Sequence, residues 1–237
     1  MALYVYGITK ASHPLRLDGL KGVGEAPTKV RTVRSGELCA VVSDAPEQLS
    51  LSRDALTAHH ETQEALWADG VVLPLGFGYV APDEDAVRAV LDERAELFAQ
   101  RLDELVGRAE FNVKGVQAED VLLRAVLTGS EQVRTLNEAT RDGGGTYEDR
   151  LALGQLVAQE VQVRQEALAG EVLAALRPLT LAEKVSPPSQ QYFVSASFLV
   201  EGDRAEEFRR AEHEVAGRLG DGVELRLRGP LPPYSFA

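Results

Sequence analysis

The sequence predicts an α+β protein built from two domains. Its 237 residues are enough for two domains, and strand-like and helix-like segments follow one another in mixed order rather than in strict alternation. A long helical pattern ends at Gly107, and a strand pattern of alternating apolar and polar residues begins at Glu110. We therefore predict an N-terminal α+β domain at residues 1–107 and a C-terminal α+β domain at residues 108–237.

The first domain is predicted to begin with strands. Residues 3–8 are β-branched and aromatic, which is typical of a strand, and residues 11–27 are rich in Gly and Pro, which is typical of a loop. Residues 30–33 and 38–43 are two apolar runs, and Gly36 between them can take the positive φ of a tight turn. This part of the chain therefore predicts a strand, a loop and a β-hairpin.

Two helices and an irregular apolar segment complete the predicted first domain. Ser52 can cap a helix that ends at Gly70. Residues 72–80 are apolar enough for a strand, but Pro74 lacks an N–H donor and two glycines favour unusual backbone, so we expect an irregular or edge-lying strand. Pro82 suits the first turn of a helix, and we expect that helix to continue unbroken to the domain boundary.

The second domain is predicted to run strand, helices, strand, helix, strand. Its longest helix, residues 147–176, carries apolar residues along one face, which must pack against a partner. The tail, residues 229–236, has three prolines in eight residues and is predicted to lie extended on a surface, because proline cannot donate to a sheet. The other predicted elements are strands at 110–116, 192–200 and 223–227 and helices at 119–127, 131–140 and 203–219.

Composition excludes several classes of function. The chain has 37 Asp and Glu against 25 Lys and Arg, a net charge of −12 that repels nucleic acid and anionic lipid surfaces. No apolar run approaches the roughly 18 residues that cross a membrane, and no targeting segment is visible. Cys39 is the one cysteine, which suits a reducing compartment. We expect a cytoplasmic protein that binds neither nucleic acid nor lipid membrane.

Motifs for catalysis and cofactor binding are weak. His59, His60 and Glu64 form the one cluster that could hold a metal, but a zinc-protease helix would need a second histidine at position 64. Packed or solvated helix residues are the simpler interpretation. Gly22–Pro27 lacks the third glycine of a dinucleotide fingerprint, and Cys39 lies in a predicted apolar strand, where a thiol is unreactive. We predict no catalytic, cofactor-binding or metal site.

Two segments, residues 72–80 and 229–236, mix apolar, aromatic, proline and glycine residues in an order that regular structure does not explain. They are either irregular edges of the core or surfaces for an apolar partner, since exposed apolar patches mark interaction sites. For the tail we favour a clamp that holds the two domains together through inserted aromatic rings. The candidate partner-binding residues are Leu73, Pro74, Leu75, Phe77 and Tyr79, and the candidate clamp residues are Pro230, Pro232, Pro233, Tyr234 and Phe236.

The same two segments carry a resemblance that covers essentially the whole chain. Residues 73–78 read Leu-Pro-Leu-Gly-Phe-Gly, and residues 229–236 read Gly-Pro-Leu-Pro-Pro-Tyr-Ser-Phe. Together with Glu-Phe-Asn-Val-Lys at 110–114, they resemble the gas vesicle accessory proteins of the GvpF/GvpL family. The departures from the family pattern are Gly76 in place of the usual Arg, Tyr79 in place of Thr, and Leu231 in place of Trp.

The resemblance implies a function and a more detailed fold. It implies a ferredoxin-like second domain with an extended tail at 229–237, no enzymatic activity and no cofactor. It further implies a role in assembling gas vesicles, as a nucleator, a chaperone or a minor vesicle component, with the small hydrophobic shell protein GvpA and other accessory proteins as partners. One alternative stays open, which is a small-ligand sensor or enzyme that uses a cleft between the domains with His59, His60 and Glu64.

Overall fold

The computed structural model describes residues 1–24, 28–189 and 191–237. Contacts divide the chain into two compact units, residues 1–110 with 230–237 and residues 111–229. The tail therefore packs with the first unit, whereas the predicted domains assign it to the second. The division into folding domains at 1–107 and 108–237 stays a prediction. The last part of the Gly22–Pro27 segment, residues 25–27, lies outside the described residues.

A five-stranded sheet forms the centre of the first unit. Its order is β2-β3-β1-β4, β5 also pairs with β1, and these pairs are antiparallel. The predicted first strand and hairpin are confirmed, and Gly36 has a φ of 54° at the hairpin turn. The irregular segment supplies two short strands. The strands are β1 (Leu3–Lys10), β2 (Arg31–Ser35), β3 (Leu38–Asp44), β4 (Leu73–Pro74) and β5 (Val80–Ala81).

The helix that follows the hairpin forms as predicted. This helix, α1 (Arg53–Asp69), begins after Ser52, whose side chain accepts a hydrogen bond from the backbone N–H of Ala55. It ends at Gly70, whose N–H bonds to carbonyl oxygens of the last turn. Serine before a helix and glycine after it satisfy backbone groups that the helix itself leaves unpaired.

The prediction of one unbroken helix from Pro82 to the domain boundary is wrong. Asp83 caps the first turn, because its carboxylate accepts a hydrogen bond from the backbone of that turn. The chain then bends at Arg94, which separates α2 (Glu84–Glu93) from α3 (Ala95–Leu105). α2 contacts β2 and β3, whereas α3 contacts β1 and β4. The two short helices therefore cover different strands of the sheet.

The two faces of the first sheet bury different residues of β1. Tyr4 and Tyr6 belong to the core cluster that packs under α1. Val5 and Ile8 point to the opposite face, toward α2 and α3. Alternation alone would place Val5 and Ile8 on different faces, but the register of β1 shifts between Val5 and Gly7. The bulge therefore brings both apolar side chains to one face.

The second unit contains a four-stranded sheet of order β7-β8-β6-β9. The helices predicted for it are confirmed, with boundaries that differ by a few residues at most. The strands are β6 (Arg108–Gln117), β7 (Ala182–Val185), β8 (Val194–Glu201) and β9 (Val223–Leu231). The helices are α4 (Glu119–Gly129), α5 (Glu131–Thr140), α6 (Tyr147–Leu176) and α7 (Ala205–Ala216).

Two features of this sheet differ from the prediction. The sequence predicts a loop bounded by Pro178 and by Pro187 and Pro188, but within it Ala182–Val185 forms β7 through antiparallel pairing with β8. β9 continues through Pro230 to Leu231, which is possible at the edge of the sheet, where a missing N–H donor is tolerated. The tail is extended only as far as Pro233, since Tyr234–Phe236 form a turn.

Two apolar cores stabilise the second unit. Under the sheet, the rings of Phe111 and Phe198 pack against Phe208, with centroid distances of 5.1 and 5.5 Å. A second cluster lies among the helices, where Val126 of α4 and Val133 of α5 pack against apolar side chains of α6. These contacts supply the packing partner predicted for the apolar face of α6. Within the described part of the chain, no helix is both long and apolar enough to cross a membrane.

Candidate functional site

A network of buried polar groups lies between α1 and the first sheet. The hydroxyl of Tyr4 is 2.8 Å from Nδ1 of His59 and accepts a hydrogen bond from the N–H of Gly78 at 3.1 Å. Gln63 donates from Nε2 to the carbonyl oxygen of Leu75 at 3.0 Å and to a carbonyl oxygen of β1. These side chains attach the segment that follows β4 to both α1 and β1.

Burial determines the protonation of this network. Burial lowers the pKa of His59 to about 4, and the neighbouring His60 contributes to the same direction. Burial likewise raises the pKa of Tyr4 to about 12. At neutral pH the imidazole is therefore uncharged and Tyr4 keeps its proton, so the hydroxyl can donate to the ring nitrogen. The ring of Phe77 closes the cluster, 5.8 Å from Tyr4 and 5.6 Å from His59 between centroids.

The cluster named for the alternative function divides between the core and the surface. His59 faces Tyr4 in the core, whereas Nε2 of His60 lies 3.1 Å from the carboxylate of Glu64 on the solvent side of α1. Among the described residues, no group of three or more His, Cys, Asp or Glu side chains is placed to hold a metal. Cys39 is buried, and burial raises the pKa of its thiol, so the reactive thiolate is disfavoured.

The five predicted partner-binding residues also lie in two environments, the core and a surface groove. Leu73 and Pro74 are buried, because they form β4 against β1. Phe77 turns toward the aromatic cluster under α1. Leu75 and Tyr79 point to the other side of the segment, where they line a groove, and Tyr79 is 50% exposed. Only these two predicted residues therefore have side chains in a position to contact a partner there, and their binding role stays a prediction.

An apolar groove of about 280 Å³ lies between residues 75–82 and the helices α2 and α3, and we call it the α2–α3 groove. Side chains of the sheet, Val5 and Ile8, form its floor. Phe98 of α3 lies in its wall, and Arg94 supplies the one charged side chain among the described lining residues. Sequence reasoning missed these two helix residues, because a continuous helix would not have bent around a groove.

Exposed apolar side chains surround the α2–α3 groove. Tyr79 is joined by Val80, which is 45% exposed. Val90, which lines the groove from α2, is also exposed. Single exposed apolar side chains are common on protein surfaces, but several around one apolar groove indicate an interaction site.

A larger cleft of about 830 Å³ lies elsewhere in the first unit, beside the start of α1. Its lining mixes Pro46 and Leu49 with isolated charged side chains such as Lys21 and Asp54. The hydroxyl of Ser52 in this cleft already caps α1. The cleft is larger, but its described lining is mixed and its polar side chains form no assembled group, so the α2–α3 groove, with its mainly apolar lining, is the stronger candidate.

The tail is part of the first unit and is held by a buried carboxylate. Glu110 is 2% exposed and accepts hydrogen bonds from the N–H and the hydroxyl of Ser235, both at 2.7 Å. Pro232 and Pro233, which precede the turn in the tail, are also buried. Burial, with the nearby charge of Glu64, raises the pKa of the Tyr234 hydroxyl. Sequence reasoning named the prolines and Tyr234 but missed Glu110, whose place in an alternating strand gave no sign of a distant partner.

Known solved structures share this fold. The crystal structure of the gas vesicle protein GvpF from Anabaena sp. PCC7120 matches with a TM-score of 0.85 at 22% identity, covering 100% of this chain and 98% of that chain. The crystal structure of GvpF from Microcystis aeruginosa matches with a TM-score of 0.80, also at 22% identity, over 99% and 98% of the two chains. The mixed helix and sheet content is therefore that of the GvpF structures.

Sequence comparison gives the family. Gas vesicle protein F from Streptomyces sp. (strain CB03234) is 43% identical over 237 residues, which cover 100% of this chain and 99% of that protein. Gas vesicle protein L from the same organism is 29% identical and covers 99% of this chain and 92% of that protein. The family model for the gas vesicle synthesis protein GvpL/GvpF matches residues 2–237. This chain therefore belongs to the GvpL/GvpF family of gas vesicle synthesis proteins.

Proposed function

We propose that this protein is a non-enzymatic accessory protein of gas vesicle assembly that binds the small hydrophobic shell protein GvpA. The observation that carries the proposal is the α2–α3 groove, an apolar site with exposed apolar side chains around it in a chain of the gas vesicle family. Burying apolar surface in such a groove contributes roughly 25 cal/mol per Å². The groove thus offers a shell subunit an apolar contact before it polymerises.

The charge of the chain supports the role of a carrier. A net charge of −12 keeps a protein with an exposed apolar site dispersed, because like-charged copies repel one another. The apolar site and the acidic surface together suit a protein that holds an apolar subunit in the cytoplasm and delivers it to the gas vesicle. Nucleator, chaperone and minor vesicle component are all compatible with this binding activity, as is contact with other gas vesicle accessory proteins.

The architecture we propose for this function has two domains, the second of them ferredoxin-like. The support is topological: β6, a helical segment, β7, β8, α7 and β9 follow in the order of the β-α-β-β-α-β motif, with sheet order β7-β8-β6-β9. We further propose that the tail is a clamp between the domains. It continues from β9, and its residues Pro230–Ala237 pack within the first unit.

Co-purification tests the binding proposal. The tagged full-length chain is co-expressed with untagged GvpA, and the double variant Tyr79→Asp with Val90→Asp is compared with wild type. We expect wild type to retain GvpA and the double variant to lose most of it, because two carboxylates would have to be desolvated in an apolar groove. Leu151→Asp is the matched control, since Leu151 is 51% exposed on α6 of the second unit.

Two outcomes would contradict the proposal in different ways. Equal retention of GvpA by wild type and the double variant would show that the α2–α3 groove is not the binding site. No retention by the wild-type chain would contradict GvpA binding itself. Circular dichroism melting of each variant checks that a loss of binding does not come from unfolding.

A further inference from the structure

We infer that Arg94 recognises a carboxylate on the segment that occupies the α2–α3 groove. The occupant is then an apolar segment of the shell protein that carries an aspartate, a glutamate or a terminal carboxylate beside its apolar side chains. This inference rests on the proposed function and adds a specificity-determining residue to it. Its evidence is the position of Arg94 in the lining of an otherwise apolar groove and, among the described residues, the absence of an ion-pair partner for it.

The backbone places Arg94 at the bend between two helices. Its φ of −114° and ψ of 20° lie outside the helical range and separate α2 from α3. Its N–H still bonds to the carbonyl oxygen of Val90 at 3.2 Å, and its carbonyl oxygen accepts from the N–H of Phe98 at 2.9 Å. The residue is therefore fixed between two side chains of the groove lining, and its own side chain completes that lining.

The charge of Arg94 is available to a ligand. The neighbouring arginines of the two helices are each neutralised locally, Arg88 by Glu84 and Asp85 and Arg101 by Glu104. Within the described ranges of the chain, no carboxylate oxygen comes within 4 Å of the guanidinium of Arg94. Arg94 is exposed and lies in the lining of an otherwise apolar groove, so a ligand that brings a carboxylate can pair with it.

An arginine at this position would add selectivity to apolar binding. Apolar contact alone discriminates weakly among hydrophobic segments, whereas a guanidinium makes two parallel, charge-assisted hydrogen bonds to one carboxylate. A segment without a carboxylate would gain the apolar contact but not this ion pair. Arg94 would therefore favour an acidic apolar segment over an equally apolar neutral one.

Peptide binding tests the inference. The probes are overlapping labelled peptides that cover GvpA, and fluorescence anisotropy gives the dissociation constant for the full-length chain. For the peptide that binds best, we expect Arg94→Gln to weaken binding roughly tenfold and Arg94→Glu to weaken it further. Replacing the acidic residue of that peptide by its amide should weaken wild type by a similar factor and leave Arg94→Gln unaffected, which shows that the two charges are coupled.

The control variants are Arg101→Gln and Arg101→Glu, which change an arginine of α3 that pairs with Glu104. Both should bind as wild type does. The inference is overturned if Arg94→Glu binds like wild type while Val90→Asp has lost binding, because the groove then binds apolar segments without sensing charge. If Val90→Asp also binds like wild type, the α2–α3 groove is not the binding site. The proposed function would then be wrong about where GvpA binds.

Discussion

The two faces of the first sheet are built on opposite principles. Under α1, the side chains of Tyr4, His59 and Gln63 hydrogen-bond to one another or to backbone groups. Under α2 and α3, Val5 and Ile8 lie at the bottom of a groove that no described residue fills. Each buried hydrogen bond under α1 fixes one arrangement, because a lost partner leaves a costly unsatisfied group.

This difference separates the tasks of the two faces. The segment between them, residues 75–80, is held from the α1 side and presents Leu75 and Tyr79 to the groove. A rigid backbone behind an open apolar site loses little conformational entropy on binding, which favours affinity. We therefore expect changes on the α1 side to lower stability and changes on the groove side to lower binding.

The tail should give the largest loss of stability. Deleting residues 232–237 exposes the surface that Pro232 and Pro233 cover and removes both hydrogen bonds from Ser235 to Glu110. We expect a loss of about 3–5 kcal/mol in the free energy of unfolding, which lowers the melting temperature by roughly 10 °C. Differential scanning calorimetry measures this shift, and limited proteolysis between the units should become faster.

A single substitution in the tail should cause a smaller loss of stability than the deletion. Ser235→Ala removes one of the two hydrogen bonds and keeps the backbone in place, so the expected loss is about 1 kcal/mol. An unchanged melting temperature after the deletion, combined with lost binding of GvpA, would make the tail a docking peptide. The proposed clamp would then be wrong.

Stability should depend on pH through His59. Its pKa falls from 6.5 to about 4 in the folded chain, so between these values the unfolded chain binds the extra proton. Burying the imidazole in its neutral form therefore adds nothing unfavourable above pH 6.5. As the pH falls from 6.5 toward 4, the free energy of unfolding should decrease by about 3 kcal/mol in total. Urea unfolding at several pH values should show a steeper slope for wild type than for His59→Gln. Identical slopes for wild type and His59→Gln would contradict a neutral, buried His59.

Replacing Gln63 should lower stability, because two carbonyl groups would lose their hydrogen-bond donor. Gln63→Leu keeps most of the side-chain volume but removes the donor to Leu75 and to β1. We expect a loss of about 2 kcal/mol in the free energy of unfolding, measured by urea titration. Gln100→Leu changes an exposed glutamine of α3 and should cost less than about 0.5 kcal/mol. If Gln63→Leu and Gln100→Leu lowered the free energy of unfolding equally, the α1 side would not be the side of the sheet that determines stability.

The smallest effect on stability is expected on the groove side. Tyr79→Ser should change the free energy of unfolding by less than about 0.5 kcal/mol, because the side chain is half exposed and only the backbone of Tyr79 bonds to β1. Phe77→Ser, two residues earlier, removes a ring that packs on Tyr4 and His59 and should cost about 2 kcal/mol. Thermal melting measures both losses. A larger loss for Tyr79→Ser than for Phe77→Ser would contradict the expectation that stability depends on the α1 side.

Local patterns were enough to predict most elements of the fold. Ser52 and Gly70 mark the ends of α1 through backbone groups within a few residues, and the apolar period of residues 147–176 gives α6. The bend at Arg94 was missed because no glycine or proline marks it in the sequence, and its effect, that α2 and α3 pack on different strands, is visible only in the fold. β7 was missed because its strand conformation depends on pairing with β8.

By itself the sequence determined the mixed α and β content, the acidic charge, most helix and strand positions and, through two motifs, the family. These properties depend on composition, short-range periodicity and turn chemistry. Only the tertiary structure decided which side of residues 73–79 meets the core and that Glu110 holds Ser235, 125 residues away in the chain. Such pairings depend on which distant surfaces can be packed together at close distance, and no local pattern records that choice.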